Sequence, residues 1–142
     1  MKRFLIVEDD ELSCKILENC LSEFSECDTA ANGRAGYELF EKAILDGQPY
    51  DIICSDVDMP VLDGHTMVGL IRAREKTLPI IDCLRTTIFM ISSSGSPADM
   101  TQAILDNDCD DYIVKPFHRE TLEALLRKYN LLDSDSAPEP KK

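Results

Sequence analysis

The sequence predicts an α/β protein built on a doubly wound parallel sheet with helices on both faces. Short apolar runs alternate with longer segments of helical period, and the alternation recurs five times along 142 residues. Crossovers between parallel strands are right-handed, and ligands of such open sheets bind at the carboxyl ends of the strands. The residues with chemical capacity fall at those ends.

Phe4 to Val7 is the first strand, and Leu12, Ile16, Leu17, Cys20, Leu21 and Phe24 give the following helix one apolar face. A weaker strand runs from Cys27 to Ala31. The helix after it spans Gly33 to Leu45 and stops at Gly47, with Pro49 beyond. Tyr50 to Ser55 is the third strand, and Gly64 to about Glu75 the third helix. Thr87 to Ile91 is the fourth strand, and a helix opened by Ser96 as cap and Pro97 in its first turn follows. Asp111 to Val114 closes the sheet, and His118 to Tyr129 is the last helix. Residues 1–131 are expected to form one domain. Residues 132–142, ending DSDSAPEPKK, read as a disordered polar tail.

The formal charge of −12, from 27 acidic against 15 basic residues, argues against nucleic acid and anionic membranes as partners. Six cysteines without a CxxC pair, several inside apolar stretches, read as free thiols of a reducing cytoplasm. The opening MKRFLIVEDD is too short for a signal-peptide core, and no stretch approaches about 18 apolar residues. The expectation is a cytoplasmic protein that neither is exported nor spans a membrane.

Glu8 and Asp9 end the first strand, Asp56 the third, Ser92 the fourth and Lys115 the fifth, so all share one rim. Carboxylates gathered about 4 Å apart repel by several kcal/mol near a protein surface, and a cation resolves this. Oxygen ligands on loops open to water suit Mg²⁺, which keeps waters and accepts phosphate oxygens. Lys115 adds a fixed positive charge and Ser92 a hydroxyl donor. Within that arrangement the Asp56 carboxylate can attack phosphorus and hold an acyl phosphate.

Each residue also has a plain explanation. Acids after strands serve as turn formers or helix caps, and Asp63-Gly64 reads as a turn. Ser92, Lys115 and Tyr112 taken singly are a loop hydroxyl, a surface charge and a packing aromatic, and His65 and His118 are surface residues. Their joint placement on one rim is what these explanations leave out.

The LIVEDDE opening, the SDVDMPVLDG segment around Asp56, Ser92 after IFMI, and DDYIVKPF around Lys115 resemble the receiver domain of two-component response regulators, over residues 2–130. The resemblance implies a flavodoxin-like fold of five βα units with strand order 2-1-3-4-5. It implies that Asp56 takes a phosphoryl group from a phosphohistidine of a sensor histidine kinase. It further implies Mg²⁺ held directly by Asp9 and Asp56, by the backbone carbonyl of Asp58, and by Glu8 through water. Ser92 and Tyr112 become the switch pair, and the Lys115-Pro116 bond is expected to be cis.

Three departures stand out. The stretch REKTLPIIDCLRTT is longer than the family pattern and offers a private contact surface. Asp108 occupies a position where glycine commonly ends the fourth helix. The spacing from Ser92 to Lys115 exceeds the pattern by one residue, which makes Ser93 the runner-up hydroxyl.

With no output domain after residue 130, the signal is expected to pass to a downstream protein by contact, or by relay to a histidine phosphotransfer protein. A monomer is expected, with Leu122, Leu125 and Leu126 serving either core or contact. Two other classes compete. The string ICSDVD also looks like the opening of haloacid-dehalogenase-type phosphohydrolases, but Glu8-Asp9 precede the nucleophile here and little chain follows Lys115. A phosphate-independent interaction module is the other.

Overall fold

The computed structural model describes residues 3–24, 26–57, 59, 61–78, 85–92, 109–115 and 117–129. Chain order is β1 (Arg3–Val7), α1 (Glu11–Leu21), β2 (Glu26–Ala30), α2 (Gly33–Leu45), β3 (Ile52–Asp56), α3 (Gly64–Glu75), β4 (Thr87–Ser92), β5 (Asp111–Val114) and α4 (Arg119–Lys128). The five strands are all parallel and lie in the order β2-β1-β3-β4-β5, as expected. The expected helix after Ser96, the Asn107-Asp108 end of it, Cys83, the Lys115-Pro116 bond and the tail lie outside the described residues.

Strand residues alternate between two cores, as the period of two requires. Leu5, Val7, Ile53, Ile88 and Met90 face one side and pack with Phe40 and Ala43 of α2 and Met67, Val68 and Ile71 of α3. Phe4, Ile6, Ile52, Cys54, Phe89 and Ile91 face the other and pack with Leu17 and Leu21 of α1 and Leu122 and Leu126 of α4. Full burial of each large side chain contributes about 1.5–3 kcal/mol, and fully buried runs on β1, β3 and β4 are what a sheet covered on both faces needs. Leu122 and Leu126 therefore belong to the core, and Leu125 packs against it.

The apolar face of α1 differs from expectation. Leu12 and Ile16 are 68% and 47% exposed, whereas Cys14, Leu17, Leu21 and Phe24 meet the sheet. At about 100° per residue, Ile16 stands about 100° and Leu12 about 140° away from Leu17 around the helix. One stripe cannot hold all of them.

Helix starts follow their caps. The side chains of Asp10, Asn32 and Asp63 accept from the backbone N–H of Ser13, Ala35 and Thr66, each three residues on, at 2.8–2.9 Å. Asp63-Gly64 is thus a capped helix start. Beyond the end of α2, Gly47 takes the left-handed conformation (φ 75°) that glycine adopts without cost.

At the amino-terminal ends of β4 and β5 lies a buried polar clasp. Arg72 donates to Glu75 at 2.9 Å, to the Thr86 carbonyl at 2.7 Å and to Asp110 at 3.0 Å. Glu75 in turn accepts from the Thr86 N–H at 2.7 Å, and Asp110 from the Ile88 N–H at 2.8 Å. Each buried charge is paired and hydrogen-bonded, as burial demands. The clasp ties the end of α3 to the start of β4 across the long REKTLPIIDCLRTT stretch.

Candidate functional site

Register brings the site together. Val7 of β1 pairs with Ser55 of β3, so the next residues, Glu8 and Asp56, emerge side by side. Asp56 pairs with Ile91 and Ser92 with Val114, so Ser92 follows the residue paired with Asp56 and Lys115 follows the residue paired with Ser92. The Lys115 N–H donates to the Ser92 carbonyl at 2.8 Å, continuing the ladder by one rung.

The ligand oxygens of Glu8, Asp9 and Asp56 all lie within 4.8 Å of one another, with Glu8 and Asp56 buried and Asp9 exposed. Lys115 Nζ sits 3.1 Å from Glu8 Oε1 and 3.5 Å from Asp56 Oδ1. Glu8 also accepts from the Asp10 N–H at 3.2 Å. Three acids with one ammonium paired to two of them leave a net negative cluster whose candidate ligand atoms are all oxygens. That donor set fits a hard divalent cation such as Mg²⁺.

Burial is the main influence on the two inner carboxyls. It pushes Asp56 above the ordinary carboxylate range, opposed by the Lys115 charge and reinforced by the Asp9 charge. Burial likewise raises Glu8, against the hydrogen bond from Lys115. For Lys115, burial works against the charge, but Glu8 and Asp56 outweigh it and hold the ammonium above its ordinary value. Glu8 and Asp56 repel each other, and Lys115 is the counter-charge that both share.

Ser92 is 1% exposed at the end of β4. Tyr112, 8% exposed, packs in the core that holds Met90 and Cys109. Asp58 and Ser93 lie outside the described residues. Cys14, Cys20, Cys27, Cys54 and Cys109 are free thiols, and among the described residues no helix is long and apolar enough to cross a membrane.

One residue of the site was not singled out from sequence for this role. A Cβ on Gly64 would stand 2.2 Å from the Asp56 carbonyl oxygen. The Gly64 N–H donates to the Val57 carbonyl at 2.9 Å, and the Val57 N–H to the Ile91 carbonyl at 3.1 Å. The start of α3 thus lies directly on the Asp56 backbone, and only glycine allows that approach. The dipeptide Asp63-Gly64 carried the signal, a cap followed by a residue without a side chain.

Comparison with known proteins agrees with this geometry. Residues 4–127 match the family model described as the response regulator receiver domain. The chain is 31% identical over 131 residues to the two-component response regulator ORR41 of Oryza sativa subsp. japonica, covering 92% of this chain and 96% of that protein. It is 32% identical over 130 residues to the hybrid signal transduction histidine kinase G of Dictyostelium discoideum, covering 89% of this chain but 4% of the kinase. Among solved structures, the Vibrio cholerae chemotaxis protein CheY4 superposes with a TM-score of 0.73 at 29% identity, covering 90% of this chain and 98% of that one. The order of elements, the acidic rim with its lysine and the match over residues 4–127 converge: the chain belongs to the response regulator receiver domain family.

Proposed function

We propose that the protein is a phosphoacceptor in a two-component phosphorelay, with Asp56 as the residue that receives the phosphoryl group. The observation that carries this reading is the cluster of Glu8, Asp9 and Asp56 with Lys115 bridging two of them on one rim. An Asp56 Oδ attacks the phosphorus of a donor phosphohistidine. The P–O bond forms as the P–N bond breaks, and the imidazole leaves with the electron pair. Hydrolysis reverses the state when water attacks phosphorus and the carboxylate departs.

This chain's residues divide the work. Glu8, Asp9, Asp56 and the Asp58 carbonyl are assigned to hold Mg²⁺, which when bound offsets the negative charge of the phosphoryl oxygens. Lys115 fixes a positive charge beside Asp56, and the Ser92 hydroxyl donates to a phosphoryl oxygen. Movement of Ser92 together with a repacking of Tyr112 is assigned as the switch that alters a protein-binding surface. The donor is a sensor histidine kinase or a histidine phosphotransfer protein, and the recipient of the signal is a downstream protein. Action in the cytoplasm fits a charge of −12 and free thiols.

The test is intact mass after incubation with acetyl phosphate and Mg²⁺. A single phosphoryl adduct that vanishes in Asp56→Asn and in EDTA supports the reading. Sustained turnover of a small aryl phosphate would instead indicate a phosphohydrolase. No adduct from acetyl phosphate or a histidine donor, together with no Mg²⁺ binding, would leave a phosphate-independent interaction module.

A further inference from the structure

Between α2 and α3 a cavity of about 200 Å³ opens to solvent, lined by Arg34, Tyr37, Glu38, Val61, Leu62 and Leu70. It lies outside the acidic rim. Val61 is 72% exposed and Leu70 43%, so two of the chain's exposed large apolar side chains sit on one concavity. Val61 also holds φ at 71°, a left-handed conformation that costs a β-branched residue about 1–2 kcal/mol. Strain at an exposed apolar residue is a reason to look for a contact that the single chain does not supply.

We infer that this groove is where a second copy of the chain docks, with α2 antiparallel to its mate across a two-fold axis. The charges around the groove single out that occupant. Arg34 and Glu38 stand one turn apart on α2, both exposed, and neither forms an ion pair with another described residue. Basic-before-acidic is also the weaker order for a pair within one helix, which leaves both available. In an antiparallel arrangement Arg34 faces Glu38 of the copy, and the same contact repeats by symmetry, so one patch is its own complement. A strongly acidic or strongly basic partner would leave one of the two charges opposed.

Net charge favours the same location. Two chains of −12 repel over most of their surfaces. The residues lining the groove carry one cation and one anion, a locally neutral apolar patch on an acidic protein. Val61 and Leu70 supply the projecting side chains, and Tyr37 and Leu62 the surface that receives them. This assignment replaces the expected monomer and is independent of phosphoryl capture.

Sedimentation equilibrium of the full chain over a wide concentration range tests the proposal. Wild type is expected to show a reversible monomer–dimer equilibrium. Arg34→Glu and Glu38→Arg alone each put like charges face to face twice and weaken association by about tenfold or more. The double variant Arg34→Glu/Glu38→Arg restores both pairs and regains the dimer. Leu70→Lys and the milder Leu70→Ser are expected to lose it, with thermal unfolding of each variant confirming that it folds. A wild type that stays monomeric, a dimer indifferent to these substitutions, or a folded double reversal that fails to recover would each overturn the assignment.

Discussion

Lys115 Nζ lies closer to Glu8 Oε1, at 3.1 Å, than to Asp56 Oδ1, at 3.5 Å. The ammonium is therefore shared, and its firmer hold is on the residue that follows β1. It bridges the outgoing ends of two neighbouring strands as well as standing next to Asp56, the proposed phosphoacceptor.

Removing that bridge should separate metal binding from phosphoryl capture. In Lys115→Ala the Glu8, Asp9 and Asp56 charges have no internal cation, so Mg²⁺ is expected to bind severalfold more tightly by calorimetry. The rate of adduct formation from acetyl phosphate should fall by about tenfold or more, because the positive charge beside Asp56 is gone. Unchanged Mg²⁺ affinity would show that Lys115 does not offset the acidic cluster.

The glycines of α3 offer a contrast on one helix. Gly64→Ala forces a methyl group onto the Asp56 carbonyl and should cost about 1–3 kcal/mol in urea unfolding while slowing phosphoryl capture. A methyl group on Gly69 would meet nothing within 4 Å, so Gly69→Ala should stabilise the helix by about 0.5–1 kcal/mol and leave capture unchanged. Equal behaviour of the two would refute the close approach at Asp63-Gly64.

The Asp63 cap sets a pH dependence. The backbone N–H of Thr66 is the main influence holding its carboxyl below the ordinary range. A depressed folded value means that the contribution is fully present above the unfolded aspartate range and is lost as pH falls through the folded value. Asp63→Ala should cost about 1 kcal/mol at neutral pH, and its deficit against wild type should shrink as acid protonates the cap. Asp63→Asn, which still accepts from Thr66, should stay close to wild type at neutral pH. Urea midpoints across the acid range measure all three.

The clasp at the other end of the sheet should behave as structure alone. Arg72→Ala strands Glu75 as a buried acid and leaves Asp110 with Arg85 as its cation, and is expected to cost about 3–5 kcal/mol. Under conditions where the variant remains folded, the acetyl phosphate adduct on Asp56 should form at the wild-type rate. A slowed adduct in folded protein would mean that the clasp also shapes the acidic rim.

Much of this was readable from residue order. The strands are apolar runs bounded by turn residues, and Gly33–Leu45, Gly64–Glu75 and Asp111–Val114 have the bounds that caps and periodicity indicate. Strand ends with acids, a serine and a lysine place the rim, because parallel strands deliver their carboxyl ends to one edge. The exposed positions of Leu12 and Ile16 were hidden, since six apolar residues on α1 admit more than one stripe. The clasp was hidden for a different reason: Arg72 and Asp110 are far apart in sequence, and nothing local in either marks the other as its partner. Val61 gave no sign of its positive φ, because valine is among the last residues expected there.

The alternation of β1, β3 and β4 between two cores has a consequence for how the protein tolerates change. Leu5 and Ile6 are neighbours in sequence, yet one touches the α2 and α3 side and the other the α1 and α4 side. Substitutions on opposite sides share no partners, so their stability losses should add; those on the same side compete for the same space and should not. The chain can therefore vary one side of its sheet while the other keeps its packing, with the rim common to both.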